Sequence, residues 1–172
     1  MNEGYRTVKI NIGLDAAGDA GRVRAVRQAM GESTHLRVDG NCGYSRAEAL
    51  RAFRLMEDLG LEWIEQALAS WDLEGMAELS ARLDTPIAGY ESMYTPEDAF
   101  RCITSGAADV VNIKAAKCGG IYRSHRIAAV CEAAEALHGE TSTGVFQVGN
   151  AAARIARTRN RFSYDLSICK YM

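Results

Sequence analysis

The sequence has only two prolines and no tract rich in proline or in glycine and serine, so nothing in it reads as a linker between domains. An excess of charge of one sign is also missing. Twenty Lys and Arg against 22 Asp and Glu leave a formal net charge of -2, so neither nucleic acid nor an anionic membrane surface is an expected partner. No apolar run approaches the ~18 residues that a membrane-spanning helix requires. The first residues, MNEGYRTVKINIG, lack the basic start and apolar stretch of a signal peptide, and a cytoplasmic location is the default that follows. Five cysteines occur, at 42, 102, 118, 131 and 169. Their odd number and the absence of a C-x-x-C pair speak against a disulfide framework or a zinc site. They read as reduced, mostly small core hydrophobes, with Cys42 notable for following Asp39 by three residues.

What the chain does have is alternation. It is 48% hydrophobic and 24% charged over 172 residues, enough for one globular domain with a sizeable core. Short β-prone runs stand at 8–12 (VKINI), 36–38 (LRV), 61–65 (LEWIE), 86–90 (PIAGY) and 109–114 (DVVNIK). Between them lie stretches with helical spacing: Val23, Val26, Ala29 and Met30 in the first, Leu50, Phe53, Leu55, Met56 and Leu59 in the second. Ser45 to Glu48 has the form of a capping box. Thr95 to Asp98 offers an N-cap, a proline at the first helical position and two acids at the positive end of the dipole. Gly31, Gly60 and Gly106 fall where helices end. The strands lack a clean polar/apolar alternation, which suits a parallel sheet buried on both faces and joined by crossover helices.

The stretch HLRVDGNCGY, 35–44, shows why this repeat has a chemical meaning. A buried strand finishes on a carboxylate, Asp39. Glu65 follows 26 residues later and Glu91 another 26; Lys114 comes 23 after that, and Lys9 precedes Asp39 by 30. All but Lys9, which lies inside its run, stand at the C-terminal end of a strand. In a parallel barrel those ends gather on one face, where such enzymes do their chemistry. Taken singly, each acid reads as a solvated loop residue. In register, three carboxylates facing one cavity are unfavourable without a cation among them. Oxygen-only ligands favour Mg²⁺ or Mn²⁺. A lysine beside such an ion loses its proton more readily and can act as a base. The ion can hold a substrate carboxylate and stabilise the enediolate formed when the α-proton leaves.

The motifs RVDGN, WIEQ, TPIAGYES and DVVNIKAAKCGG, with YSRAEALRAFRLMEDLGLEWIEQ and WDLEGMAELSARLDTPIA around them, resemble the barrel of the mandelate racemase/muconate lactonizing branch of the enolase superfamily. The resemblance runs from about Tyr5 to Ile127 and is greatest to muconate cycloisomerases and dipeptide epimerases. It implies an α/β fold of (β/α)₇β barrel type, a divalent metal, Mg²⁺ or Mn²⁺, and racemisation, epimerisation, cycloisomerisation or dehydration of small carboxylates. Carried onto this sequence, Asp39 and Glu65 resemble the first two metal ligands, and Lys114 the acid/base lysine. Asn41 resembles a polar residue near the metal.

Four departures accompany it. The family's K-x-K is K-I-N here, so Lys9 is kept while Asn11, an amide that cannot act as a general base, stands at the second lysine. The D-E-S motif that supplies the third ligand is Tyr90-Glu91-Ser92, leaving Glu91 as the candidate ligand. The late G-S-x-x-E-S-G-I-G pattern is contracted to HGETSTGVFQVGNAA, with Val145 or Phe146 near the expected acid and Glu140 elsewhere. Finally, the chain starts near the second barrel strand, without the capping domain. A full barrel needs ~250 residues, and 172 allow about six βα units. A partial TIM-type barrel is therefore expected: a fragment, a truncated gene product, or a piece whose open edges close against a second copy. The rival to the enzyme is a catalytically silent barrel that serves only as a structural or interaction domain.

The remaining candidates have plainer readings. His35, His125 and His138 read as solvated, and Gly119-Gly120 as a tight turn, with an anion-binding loop as the alternative. Arg154, Arg157, Arg159 and Arg161 read as a solvated helix end rather than a nucleic-acid patch. Trp63 reads as strand core and Trp71 as a packing residue at a helix start near the barrel mouth.

Overall fold

The computed structural model describes residues 6–138 and three later strands, with side-chain surroundings through residue 134. In chain order the elements are β1 (Thr7–Asn11), α1 (Ala16–Met30), β2 (His35–Asp39), α2 (Arg46–Arg54), a 3₁₀ turn (Glu57–Leu59), β3 (Leu61–Glu65), α3 (Leu73–Arg82), β4 (Ile87–Gly89), α4 (Pro96–Thr104), β5 (Val110–Val111) and α5 (Ile121–His138). The strands β6 (Val145–Val148), β7 (Ala151–Ile155) and β8 (Phe162–Asp165) follow. No helix among the described residues is long and apolar enough to cross a membrane.

Strands β1 to β5 form one parallel sheet in simple sequence order. Each crossover advances by one strand, with no point where the order reverses. That is the winding of a barrel rather than of a doubly wound sheet, so the fold is α/β, a partial TIM-type barrel. The βα pattern stops after α5. Strands β6, β7 and β8 pair antiparallel among themselves, in place of the sixth βα unit expected from length. The chain explains this locally: only Gly149 and Asn150 separate β6 from β7, whereas a parallel return needs a crossover of a dozen residues or more.

Helix ends follow their side chains. Thr95 and Asp98 complete a capping box, Asp98 N–H to Thr95 Oγ1 at 3.1 Å and Thr95 N–H to Asp98 Oδ2 at 3.0 Å, with Pro96 at the first helical position. At Ser45 the box is half made. The hydroxyl accepts from the Glu48 N–H at 3.4 Å, but the Glu48 carboxylate takes its bond from that hydroxyl at 3.0 Å instead of from the backbone. The second helix is shorter than its apolar spacing suggests. It ends at Arg54, leaving Leu55 exposed, and the chain tightens into the 3₁₀ turn that buries Met56 and Leu59 before Gly60 at φ 61°. Along α1 the buried line is Ala16, Ala20, Val23 and Arg27 rather than one through Ala29, which is exposed. Arg27 earns its place by donating to the carbonyls of Leu59 (2.9 Å), Thr34 (2.7 Å) and Gly60 (3.1 Å).

The strands do alternate, in chemistry rather than in burial. Leu36, Val38, Ile64 and Ile87 join Val23, Phe53, Met56, Met76 and Leu79 in the main core between sheet and helices. The intervening residues are buried too, but carry Arg37, Asp39, Trp63 and Glu65. Val111 and Ile113 continue the helix side against Ala99, Cys102, Ile127 and Cys131, while Trp63, Ala88 and Val110 pack together on the other side. Cys102, Cys118 and Cys131 are buried, as small hydrophobes are. Trp63 is core, whereas Trp71 is 81% exposed, because Asp72 caps α3 through the Gly75 N–H (3.0 Å) and leaves Trp71 outside the helix start.

Candidate active site

The loops after β1, β2 and β3 close tightly on one another at the C-terminal ends of the strands. A Cβ on Gly13, whose φ is 111°, would meet the Gly40 carbonyl oxygen at 2.4 Å; one on Gly40 would meet the Ala67 Cα at 2.7 Å. The three non-glycine residues with positive φ among the described residues, Asn41 (47°), Cys42 (60°) and Gln66 (32°), all lie here. Backbone in such conformations is held by its surroundings. Part of the holding is Asp19, fully buried on α1. Its carboxylate accepts from the backbone N–H of Gly13 (2.9 Å), Leu14 (2.9 Å) and Asp15 (3.1 Å) and from the Tyr44 hydroxyl, and pairs with Arg22.

On that rim Asp39 and Glu65 end adjacent strands and are partners in the β2–β3 register. Lys9 stands between them, its Nζ 2.7 Å from Asp39 Oδ2 and 3.2 Å from Glu65 Oε1. Glu65 also accepts from Asn112 Nδ2 at 2.9 Å, and Asp39 Oδ1 from the Asn41 N–H at 3.0 Å. Asn41 reaches Asn11 Oδ1 at 3.5 Å, and Asn11 is exposed. Burial alone would lower the pKa of Lys9, but the charges of Glu65 and Asp39 and its bonds to both carry it well above the usual lysine range. One ammonium cannot balance two carboxylates. Burial, reinforced by Asp39, therefore holds Glu65 above the usual glutamate range although Lys9 opposes this.

Glu91 lies two residues beyond β4, half-buried. Its Oε2 is shielded from solvent and has no hydrogen-bond partner. Burial and, secondarily, Asp39 raise its pKa. Gln66 fixes this loop: its Oε1 accepts from the N–H groups of Tyr90 (2.9 Å) and Ser92 (3.1 Å), and its Nε2 donates to Ser92 Oγ (2.8 Å). Lys117 fixes it from the other side. Its ammonium donates to the Tyr90 carbonyl and sits 3.9 Å above the Tyr90 ring and 4.8 Å from that of Tyr94, and burial lowers its pKa. Lys114 is half-buried, two residues past Asn112 and of the same parity along the chain; its carbonyl accepts from the Lys117 and Cys118 N–H groups. Cys42 is half-buried with its thiol pKa raised by burial and by nearby Glu91, so it is not an activated nucleophile.

The structure thus brings together Lys9, Asp39 and Glu65, with Asn41 and Asn11 alongside. Among the described residues, no three acidic, His or Cys side chains are close enough to share one metal ion as they stand; an ammonium sits between two of the carboxylates, and Glu91 feels the charges of Asp39 and Lys9. The donor set nonetheless suits a hard cation: oxygen ligands only, an excess of negative charge, and one buried carboxylate oxygen lacking any donor. His35 and His125 are exposed, and the Gly120 N–H already donates to Ala115, as a tight turn requires. The side chains of His138, Glu140, Val145, Phe146, the late arginines and Cys169 lie outside the described residues. Sequence reasoning passed over Asp19, Gln66, Asn112 and Lys117. Of these Asn112 had a signal: it shares the parity of Lys114 within DVVNIK.

Residues 1–165 match the enolase C-terminal domain-like family, and the chain belongs to that family. Among the proteins it resembles, the L-Ala-D/L-Glu epimerase of Bacillus subtilis is 38% identical over 96% of this chain and 47% of its own length. Muconate cycloisomerase 1 of Rhodococcus opacus is 38% identical over 78% of this chain and 36% of its own. The crystal structure of the dipeptide epimerase from Enterococcus faecalis V583 complexed with Mg and the dipeptide L-Leu-L-Tyr superposes with a TM-score of 0.76 at 32% identity. It covers 84% of this chain and 39% of that one. The chain therefore spans less than half the length of these relatives.

Proposed function

We propose that this chain carries the metal-holding and proton-transferring part of an active site that removes the proton α to a carboxylate. The observation that carries the reading is Asp39 and Glu65 side by side at the rim with Lys9 between them, and Lys114 three residues beyond β5. Asp39, Glu65 and Glu91 would hold the Mg²⁺ or Mn²⁺, which when bound supplies positive charge to the substrate carboxylate as the α-proton leaves. Lys114 takes that proton. Asn41 orients Asp39, and Asn112 orients Glu65. Asn11 is an amide and neither takes nor gives a proton as an acid or base near neutral pH, so the chemistry runs through one base and the proton returns to the face it left. Dipeptides and other small carboxylates are the substrate class, by likeness to the epimerases and cycloisomerase.

The test is ¹H NMR in deuterated water with Mg²⁺ and L-Leu-L-Tyr or L-Ala-L-Glu as probe. The expected result is loss of an α-proton signal with configuration retained, and no loss with Lys114→Ala. Exchange at full rate in Lys114→Ala overturns the role of that lysine, and the opposite epimer appearing overturns the single base. A second reading, a silent barrel that only packs against partners, draws on Asn11 and Tyr90 at two positions where the family resemblance places a base and a metal ligand. It stands if the chain neither exchanges protons nor responds to Mg²⁺.

A further inference from the structure

Gln66 follows Glu65 directly, is fully buried, and holds a left-handed φ of 32°, a conformation that persists only where the surroundings fix it. Every polar group it has is engaged. Its backbone N–H donates to the Ala88 carbonyl of β4 (2.8 Å), and its own carbonyl accepts from the Cys42 N–H in the loop after β2 (2.9 Å). Its side-chain Oε1 accepts from the N–H groups of Tyr90 and Ser92, on either side of Glu91. Its Nε2 donates to Ser92 Oγ and, at 3.0 Å, to the Leu68 carbonyl. One residue thus bonds to the loop that follows Asp39, carries on the backbone of Glu65, and grips both neighbours of Glu91. Each link is a direct hydrogen bond, so the strand ends that bear the three carboxylates are joined in one frame with little play. Mg²⁺ takes oxygen ligands at about 2.0–2.1 Å in near-ideal octahedral geometry and keeps several waters. Ca²⁺ takes about six to eight ligands at 2.3–2.6 Å and tolerates irregular, flexible sites. Three carboxylates on a stiff frame offer few ligands and little room to spread, which suits the smaller ion.

We propose that Gln66 is a positioning residue that fixes the separation of Asp39, Glu65 and Glu91, and thereby makes their site select a small divalent cation over a large one. It touches neither the ion nor the substrate and acts through the backbone on which the carboxylates stand. This rests on the reading of those three carboxylates as ligands and adds to it the residue that sets the size of ion they accept.

The experiment is calorimetric titration of Mg²⁺ and, separately, of Ca²⁺ into the full chain, its Gln66→Met variant and its Ser92→Ala variant. Melting curves in chelator and amide hydrogen exchange at Tyr90 and Ser92 accompany it. Methionine is unbranched like glutamine and adapts to the space, but it makes none of the amide's hydrogen bonds. In Gln66→Met the two amides lose protection and the melting temperature in chelator falls by about 5 °C. The ratio of the Ca²⁺ to the Mg²⁺ dissociation constant falls on the order of tenfold, because Mg²⁺ binds more weakly while Ca²⁺ does not. Ser92→Ala removes one bond of the set and lowers the same ratio by roughly twofold. A merely structural role would weaken both cations alike and leave the ratio where it was. If Gln66→Met does not fold, Ser92→Ala carries the test alone. An unaltered chain that binds Ca²⁺ as tightly as Mg²⁺, or a ratio unchanged in whichever variants fold, overturns the selection while leaving the ligand reading intact. Binding of neither cation to the unaltered chain overturns the ligand reading and the proposal with it.

Discussion

The two faces of the five-stranded sheet are made from the same short stretches of chain and hold opposite contents. One side carries Leu36, Val38, Ile64 and Ile87 into a core shared with Val23, Phe53, Met76 and Leu79 of the helices. The other carries Lys9, Arg37, Asp39, Trp63 and Glu65, with Arg37 paired to Glu62 (2.6 Å) and its guanidinium 3.6 Å over the Trp63 ring. Both are buried. What separates them is how each is satisfied: the helix side by packing, the inner side by charge pairing and hydrogen bonds. Strands whose side chains alternate between two faces let one supply folding energy while the other keeps costly charges where they can do chemistry. The comparison predicts that damage to one face is read as lost stability, and damage to the other as lost response to ligands.

The largest stability effect belongs to the helix side. Phe53 is 1% exposed and stands edge-on to Tyr44, ring centroids 5.8 Å apart. Phe53→Ala is expected to cost about 3–5 kcal/mol by urea unfolding, with metal affinity unchanged wherever the variant is folded. A changed affinity at full folding would mean that the two faces are not separable.

Next comes the pin between the faces. Asp19→Ala strands three backbone N–H groups and the Tyr44 hydroxyl, at a cost of about 3 kcal/mol. The loss has a pH signature. Burial pushes the Asp19 carboxyl up, but the Tyr44 hydroxyl, the Gly13 and Leu14 N–H groups and Arg22 bring it below its ordinary value of 3.8. A depressed folded pKa gives stability that is present above the unfolded value and lost as pH falls through the folded one. The unaltered chain should therefore lose stability on acidification below about pH 4 more steeply than Asp19→Ala; parallel curves would remove Asp19 from the account.

How much of this was legible in the sequence follows from the same comparison. The strand runs, the helix starts at Ser45 and Thr95 and the strand-end acids were readable because each depends on neighbours a few residues away. Lys9 lies 30 residues from Asp39 and 56 from Glu65, and nothing local shows that its ammonium bridges them. Gln66 holds a loop 24 to 26 residues on, and Asp19 meets Tyr44 across 25; such partners exist only once the strands are in register. Alternation was written in VKINI and LRVD and was passed over because a parallel sheet buried on both faces is expected to be apolar on both, whereas here one buried face carries Arg37, Asp39 and Glu65. The break after α5 was written in the two-residue spacing at Gly149-Asn150 and was passed over in favour of the length argument.

Asp39→Asn gives the smallest change in fold and the sharpest in response, and it tests the central claim directly. With Mg²⁺ at about 100 times its Kd, the melting temperature of the unaltered chain should rise by roughly 5–10 °C, and that of Asp39→Asn should stay where it was without Mg²⁺. An equal rise in both proteins, or none in the unaltered chain, would contradict the placing of a divalent-cation site on the inner face of this sheet.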